Sequence, residues 1–173
     1  MKIAILGYSG SGKSTLAETL GQFYRCDVLH FDTVQFLPGW EVRPAEEKKA
    51  ITEEFLNSHS SWVIDGNYSK LSFDRRMEEA DTILILSMNR FRCLFRVTKR
   101  YFRYRNSTRP DMAKGCNEKL DAEFVKWVLF GGRTKAVRER YRSVRKQFSS
   151  KTVLLKTQKQ IDRYVKGVRN DIE

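Results

Sequence analysis

The stretch Gly7–Thr15, GYSGSGKST, follows the apolar run Ile3–Leu6 and decides how the rest of the chain is interpreted. From Gly7 to Ser14 it matches the Walker A pattern G-x-x-x-x-G-K-[ST] without a mismatch. In such a loop, which joins a strand to a helix, glycines allow backbone N–H groups to converge, and the helix N-terminus adds partial positive charge. The motif therefore predicts a site for the phosphates of a nucleotide.

Two side chains of this loop have different expected roles in binding a nucleotide. Lys13 is expected to reach the β- and γ-phosphates, and the Ser14 hydroxyl is expected to ligate Mg²⁺. The cofactors predicted are therefore ATP and Mg²⁺. The predicted nucleotide-binding residues are Gly7, Ser9, Gly10, Ser11, Gly12, Lys13, Ser14 and Thr15.

Apolar segments alternate with helical stretches along the whole chain. The predicted strands are Lys2–Leu6, Asp27–Phe31, Trp62–Asp65, Thr82–Ser87 and Thr152–Leu155. The predicted helices are Ser14–Tyr24, Pro44–Ser58, Asn89–Arg105, Gln158–Val168 and two that flank Gly131 and Gly132. Continuous apolar strands between helices indicate an α/β fold with a parallel sheet covered on both faces. We expect a single domain over residues 1–173, with a lid region at about 100–120.

Composition narrows the class of protein. The chain is 40% hydrophobic and 12% aromatic, which is typical of a globular protein. Its three cysteines form no CxxC pair, so we expect free thiols and a cytoplasmic location. We find no secretory signal and no run approaching ~18 apolar residues, and therefore expect no membrane partner. The oligomeric state stays open.

Positive charge is concentrated in one part of the chain. Residues 90–151 hold 19 of the 33 basic residues and 5 of the 21 acidic ones. The rest of the chain carries 14 basic and 16 acidic residues, so this segment alone makes the protein basic. It is expected to face something anionic, such as a phosphorylated small molecule, nucleic acid or a membrane surface.

Two acidic residues lie at the carboxyl ends of predicted strands, at the edge of the sheet where ligands of parallel α/β proteins bind. They are Asp32 and Asp65. We expect one to hold Mg²⁺ through water, and the other to position an acceptor hydroxyl or act as its base. Asp65 is the candidate metal residue beside Ser14, although which of the two carboxylates meets the metal stays open.

Two sets of motifs resemble known families. The Walker A loop and WVIDGNY (62–68) resemble the nucleoside monophosphate kinase group, which includes adenylate and shikimate kinases. LHFDTVQFLPGW (29–40), WVIDGNYSK (62–70) and TRPDMAKGCNEKLDAEF (108–124) resemble bacterial DNA topology modulation proteins of the FlaR type. The resemblance implies an adenylate-kinase-like fold with five parallel strands and a small mobile lid, but no defined reaction. Asn67 and Tyr68 replace the Phe-Pro-Arg usual in adenylate kinases, which argues against AMP as acceptor.

The helix predicted at Asn89–Arg105 has two distinct faces. Phe91, Phe95, Thr98 and Phe102 follow helical spacing on one face, and Arg92, Arg96, Lys99 and Arg103 follow it on another. Phosphoryl transfer needs cations on a closing element, because the transferring group carries spread negative charge. Arg96 and Arg100 resemble the lid-entry arginines of the kinase group and are candidate catalytic residues. Candidate lid residues are Arg103, Arg105 and Arg109. The alternative is a solvated basic face.

A second basic helix supports a competing hypothesis. Val137, Tyr141, Val144 and Phe148 form an apolar stripe beside Arg138, Arg142 and Arg145. Such a helix can track the phosphates of nucleic acid or simply be a solubilising surface. No helix-turn-helix, zinc-finger or RNP signature accompanies it.

The remaining candidates concern the acceptor. Trp40 is a candidate wall of the acceptor pocket, or else part of a satellite core. One of Arg75 and Arg76 is a candidate for binding an anionic group of the acceptor. His30 is expected to be a packed core histidine, and Cys116 is given no role. The predicted function is an ATP- and Mg²⁺-dependent phosphotransferase acting on a small molecule, and the alternative is a nucleic-acid-associated nucleotide-binding protein.

Overall fold

The computed structural model describes residues 1–105, 107–109 and 111–170. The strands are β1 (Lys2–Gly7), β2 (Asp27–His30), β3 (Phe36–Leu37), β4 (Glu41–Val42), β5 (Trp62–Asp65), β6 (Thr82–Leu86) and β7 (Thr152–Leu155). Five of them form a parallel sheet in the order β2-β5-β1-β6-β7. The predicted α/β fold with five parallel strands is therefore confirmed.

Helices connect these strands and flank the sheet. They are α1 (Lys13–Tyr24), α2 (Phe31–Gln35), α3 (Ala45–Ser58), α4 (Phe73–Glu79), α5 (Arg90–Tyr104), α6 (Ala122–Leu129), α7 (Lys135–Gln147) and α8 (Gln158–Asn170). Between α5 and α6, the described residues form no helix or strand, and Thr108 and Asn117 form a β-bridge.

The central strand β1 positions the functional loop. Residues 3–6 are fully buried, as are residues 83–86 of β6, because helices cover the sheet on both sides. β1 pairs with β5 on one side and β6 on the other, and its last residue, Gly7, opens the Walker A loop. The register sets Ile5 opposite Asp65, and Asp65 opposite His30. The ends of β1, β2 and β5 therefore meet at one edge of the sheet.

Helix α2 and a small hairpin were not predicted. The turn at Pro38 and Gly39 is the tip of a small antiparallel hairpin, in which Phe36 pairs with Val42 and Leu37 with Glu41. We call residues 36–42 the hairpin. It follows α2, which begins at Phe31. Strand β2 therefore ends one residue earlier than predicted.

The basic helices α5 and α7 are oriented differently. α7 buries Tyr141 and Val144 of its predicted apolar stripe. α5 buries Cys93 and Val97 instead, and its predicted apolar stripe faces outward. The exposed fractions are 68% for Phe91, 71% for Phe95 and 69% for Phe102. Within the residues that the structure describes, no helix has both the length and the apolar composition needed to cross a bilayer.

Candidate active site

A cleft of about 2400 Å³ opens at the carboxyl ends of the sheet strands. It runs from the Walker A loop to the hairpin and the polar segment, by which we mean residues 107–109 and 111–121. The predicted site residues that line it are Ser9, Gly10, Gly12, Lys13, Ser14, Thr15, Asp32, Trp40, Asp65, Arg96, Arg100, Arg103 and Arg109. Those that lie outside its lining are Gly7, Ser11, Arg75, Arg76 and Arg105.

The Walker A loop adopts a conformation that requires glycine. Gly10 has φ +73°, and a side chain there would place Cβ 2.7 Å from the carbonyl oxygen of Cys93. Gly12 has φ +96° and immediately precedes α1. Lys13 Nζ donates to the carbonyl oxygen of Tyr8 at 3.2 Å, which folds the lysine back over the loop. These glycines at the N-terminus of α1 fit a loop whose backbone N–H groups bind phosphate.

Asp65 links the Walker A loop to a buried histidine. Ser14 Oγ donates to Asp65 Oδ2 at 3.0 Å, and His30 Nδ1 lies 2.6 Å from Asp65 Oδ1. His30 Nε2 lies 2.7 Å from Glu18 Oε1. Burial lowers the pKa of His30, but hydrogen bonds to Asp65 and Glu18 outweigh it and raise the pKa to about 9. His30 is thus buried as expected, but it belongs to a polar chain and is not a core residue.

The oxygen atoms of Ser14 and Asp65 suit a hard cation such as Mg²⁺. In the described part of the chain, no group of three or more His, Cys, Asp or Glu side chains is arranged to hold a metal ion. Mg²⁺ beside a nucleotide needs no such group, because water and phosphate oxygens supply most of its ligands. The residues present therefore fit a nucleotide-bound Mg²⁺.

Asn67 braces the start of the Walker A loop, a role that the sequence analysis missed. Its Oδ1 accepts from Gly7 N–H at 3.0 Å, and its Nδ2 donates to the Gly7 carbonyl oxygen at 2.6 Å. The Tyr141 hydroxyl of α7 donates to the same Oδ1 at 3.0 Å. The position of Asn67, two residues after Asp65 in the quoted stretch DGN, was the available signal.

Asp32 is held by a tyrosine that also lines the cleft. The Tyr68 hydroxyl donates to Asp32 Oδ1 at 2.7 Å. Burial and the neighbouring Asp32 charge raise the pKa of Tyr68, so the phenol stays protonated and acts as the donor. This fixes the orientation of one carboxylate oxygen.

The structure places neither of the two predicted acceptor arginines on the cleft. Arg76 is fully buried, where it donates to the carbonyl oxygens of Tyr68 and Leu71 and lies 4.4 Å from the centre of the Phe31 ring. Burial lowers the pKa of Arg76 to about 9. Its role here is to support the loop that carries Tyr68.

Arg75 is engaged by acidic side chains outside the cleft lining. Its guanidinium pairs with Glu53 of α3 and with Glu79 at 2.6 Å. It also donates to Asn57 Oδ1 at 2.9 Å. Arg75 therefore ties α4 to α3 and is not available to a ligand in the cleft.

The predicted cationic residues of the cleft divide into two groups. Arg96 donates to the Ser11 carbonyl oxygen of the Walker A loop at 2.8 Å. Arg100 and Arg109 instead pair with Glu118, at 2.7 and 2.6 Å. Burial and the Arg109 charge lower the pKa of Arg100, and Glu118 opposes that shift. Arg105, the residue after the last turn of α5, is exposed and lies outside the cleft lining.

The polar segment also brings a carboxylate to the Walker A loop. Asp111 pairs with Arg109 at 2.7 Å and lines the cleft. Burial would raise the pKa of Asp111, but Arg109, the Ser14 hydroxyl and His30 outweigh it and lower the pKa. Sequence reasoning missed Asp111 and Glu118, since both lie in a segment read for its positive charge.

The polar segment is fastened to the hairpin by three hydrogen bonds. Gly39 N–H donates to Gly115 O at 3.2 Å, Trp40 Nε1 to Asn117 O at 3.0 Å, and the free thiol of Cys116 to Leu37 O at 3.1 Å. We call this set of contacts the latch. It gives Trp40 and Cys116 a shared structural role, and Trp40 also lines the cleft.

Aromatic side chains border the cleft beside the Walker A loop. Trp127 Nε1 lies 3.3 Å from Ser9 Oγ, and the ring is 51% exposed. Phe130 is 62% exposed, with the Arg90 guanidinium 5.4 Å from its centre. Both line the cleft, and neither was predicted as a site residue. They form an apolar wall close to the predicted phosphate site.

Comparison with known proteins supports the fold. No protein-family model matches the chain, and no curated protein matches it. Its structure is similar to that of shikimate kinase from Acinetobacter baumannii in complex with shikimate, with 14% identity and a TM-score of 0.58 over 99% of this chain and 92% of that one. It is also similar to an uncharacterized protein from Eubacterium ventriosum, with 15% identity and a TM-score of 0.51 over 99% and 98% of the two chains. At these identities the likeness shows a shared fold.

Proposed function

We propose that the protein is an ATP- and Mg²⁺-dependent kinase that transfers the γ-phosphoryl group to a hydroxyl of a small-molecule acceptor. The observation that carries the proposal is the arrangement of two carboxylates around one Walker A loop. Asp65 accepts from Ser14 within the loop, and Asp32 lines the same cleft. A nucleotide switch needs the first arrangement, whereas phosphoryl transfer to an acceptor also uses the second.

The nucleotide side of the cleft is assigned to the loop and its neighbours. Lys13 would turn from the Tyr8 carbonyl towards the β- and γ-phosphates, and Arg96 lies against the loop to meet the transferring group. We assign Trp127, which contacts Ser9 of the loop, to the base of the nucleotide. Ser14 and Asp65 would hold Mg²⁺, which supplies charge neutralisation on the phosphates when bound.

The acceptor side is assigned to Asp32 and its surroundings. Tyr68 occupies Oδ1 of Asp32, so we assign the acceptor hydroxyl to Oδ2. There Asp32 orients the hydroxyl and accepts its proton during transfer. Trp40 contributes an aromatic wall. The similar A. baumannii structure is a complex of shikimate kinase with shikimate, which supports a small-molecule acceptor here, and the identity of that acceptor is open.

We assign the polar segment as the lid of a single domain. Arg100 and Arg109 are paired with Glu118 in the described conformation. To act on a phosphoryl group, these arginines must exchange Glu118 for the ligand. Closing the cleft would also exclude water from the transfer. Arg103, which is exposed at the cleft edge, supplies a further cation.

The first test is the response of thermal stability to ATP and Mg²⁺. Lys13→Ala removes the positive charge aimed at the phosphates and should abolish the stabilisation by nucleotide. Ligand at ~100 times its dissociation constant should stabilise the wild type by about 2.7 kcal/mol. Lys135→Ala, which removes a side chain that is 85% exposed, is the matched control and should keep the full shift. An unchanged shift in Lys13→Ala would refute the phosphate site.

The second test separates the two carboxylates. Asp65→Asn should weaken the Mg²⁺ dependence of nucleotide binding. Asp32→Asn should leave ATP binding intact and lower turnover by ~10²–10⁴-fold, once an acceptor is found by screening hydroxylated metabolites. If the two variants behave like wild type in both assays, the assignment of metal and acceptor sides is wrong.

A nucleic-acid-associated function is the second candidate, and the resemblance to DNA topology modulation proteins belongs to it. The supporting observation is that Arg138, Arg142 and Arg145 of α7 are all exposed. Duplex binding through these residues should weaken with salt at a slope near −0.9 per phosphate contacted. Changing all three to Gln should flatten that slope by about three. An unchanged slope would remove α7 from this role.

A further inference from the structure

The outward face of α5 carries the three most exposed large hydrophobic side chains of the described residues. Phe91, Phe95 and Phe102 are each about 70% exposed. At about 100° and 1.5 Å per residue, they fall within roughly 40° of arc and span about 16 Å along the helix. Three large apolar rings in one line on a surface mark a contact site. We call this line the Phe stripe.

The charge beside the Phe stripe indicates an anionic partner. Helix α5 contains six basic residues and no acidic one. Arg92, Lys99 and Arg103 are exposed along one side of the stripe, and Arg105, the residue after the last turn of α5, is also exposed. A second copy of the chain packed symmetrically on this face would set the same cations against each other. The charge therefore disfavours a symmetric dimer through α5.

The shape of the face distinguishes between anionic partners. Proteins that hold single-stranded nucleic acid combine stacking rings with a groove that tracks the backbone. The Phe stripe instead stands on the outward side of a helix, whose opposite side is buried through Cys93 and Val97. A plane can touch three rings that project in one direction, while the cations beside the rings reach its charged groups.

We propose that the Phe stripe and its flanking cations dock α5 on the surface of an anionic lipid membrane. The rings enter the boundary between headgroups and acyl chains, and the exposed Arg92 and Arg105 contact lipid phosphates. The expectation of no membrane partner rested on the lack of a spanning segment, whereas this contact is peripheral. The proposal does not depend on the kinase assignment.

The experiment is flotation of the full chain with vesicles. We expect binding to an equal mixture of phosphatidylcholine and phosphatidylglycerol, and at least ~10-fold weaker binding to phosphatidylcholine alone. Changing Phe91, Phe95 and Phe102 to Ser should reduce binding to the anionic vesicles by at least ~10-fold. The ATP-induced thermal shift, which depends on residues elsewhere, reports that this variant is folded and should not change.

Charge-matched variants separate the face from general basicity. Arg92→Gln on α5 should weaken anionic vesicle binding more than Arg142→Gln on α7, although each removes one exposed cation. No binding of the wild type to anionic vesicles would overturn the proposal, and so would equal binding by the Ser triple variant. Two other results would also overturn it. One is a wild-type dimer in light scattering that the Ser triple variant no longer forms. The other is that the Ser triple variant loses binding to a single-stranded oligonucleotide but keeps its binding to vesicles.

Discussion

Helices α5 and α7 share a sequence pattern but bury opposite faces. Each carries an apolar stripe beside a row of cations, and the residues of the two stripes have the same spacing in the sequence. α7 turns its stripe inward, so that Tyr141 and Val144 are 6% and 3% exposed. α5 turns its stripe outward and buries two smaller side chains, those of Cys93 and Val97. Helical spacing shows that a face exists, and the neighbouring elements decide whether that face is covered.

The neighbours explain the difference. The Tyr141 ring packs 5.5 Å from that of Tyr8, and its hydroxyl completes the Asn67 brace of the Walker A loop. Helix α5 also lies against this loop, but there Gly10 approaches the backbone of Cys93 so closely that a Cβ would not fit. A phenylalanine cannot occupy such a contact. The small residues of α5 therefore face the loop, and its phenylalanines face outward.

The largest loss of stability is expected when a residue of the inward stripe of α7 is truncated. Tyr141→Ala should destabilise the protein by about 3–5 kcal/mol, because it leaves a cavity beside Tyr8 and removes the bond to Asn67. Urea denaturation followed by circular dichroism measures the change. A loss below ~1 kcal/mol would mean that α7 is not packed as described.

The second prediction concerns one cation on each helix and rests on the proposed kinase function. Arg96→Ala on α5 should lower turnover by ~10–10³-fold, because this guanidinium lies at the Walker A loop. Arg142→Ala on α7, an exposed cation away from the cleft lining, should leave turnover unchanged. Steady-state kinetics with the acceptor decides the matter, and equal losses in both variants would contradict the distinction.

The third prediction divides the contribution of Tyr141. Tyr141→Phe keeps the ring and removes the donor to Asn67, so it should destabilise by about 0.5–1.5 kcal/mol. Gly7 N–H still donates to Asn67 Oδ1, which limits the cost. The same denaturation experiment applies, and a loss as large as that of Tyr141→Ala would show that the hydroxyl outweighs the packing.

The smallest effect is expected on the outward side of α5. Phe95→Ala should change the free energy of unfolding by no more than about 0.5 kcal/mol, since a ring that is 71% exposed loses little packing. Val97→Ala, on the buried side of the same helix, is the matched comparison and should cost more. A larger loss for Phe95→Ala would mean that its ring is covered in the folded protein.

The features that could be predicted are those encoded within short stretches. The Walker A loop and the strands around it depend on local spacing and on continuous apolar runs, so their positions were predicted to within about two residues. The predicted positions of Asp32 and Asp65 at one edge of the sheet follow from the rule for parallel strands. These inferences need no knowledge of distant contacts.

The remaining features depend on which elements meet. His30 joins Asp65 because β2 and β5 are neighbours in register, which the sequence does not state. Asp111 approaches Ser14 from almost a hundred residues away. Arg75 and Arg76 fit an acceptor role by type, but their partners in α3 and in the loop after β5 remove them from the cleft. Charge and residue type cannot identify such partners without the fold.

The latch has a thermodynamic consequence for the order of events at the cleft. Gly115, Cys116 and Asn117 join the polar segment to the hairpin, so the two move apart only if all three hydrogen bonds break. Any ligand whose binding requires this opening must supply the free energy that breaks the latch, whichever side of the cleft it enters. Once a first ligand has opened the latch, a second ligand binds without that penalty. Binding of nucleotide and acceptor should therefore be linked, each raising the affinity for the other by the same factor.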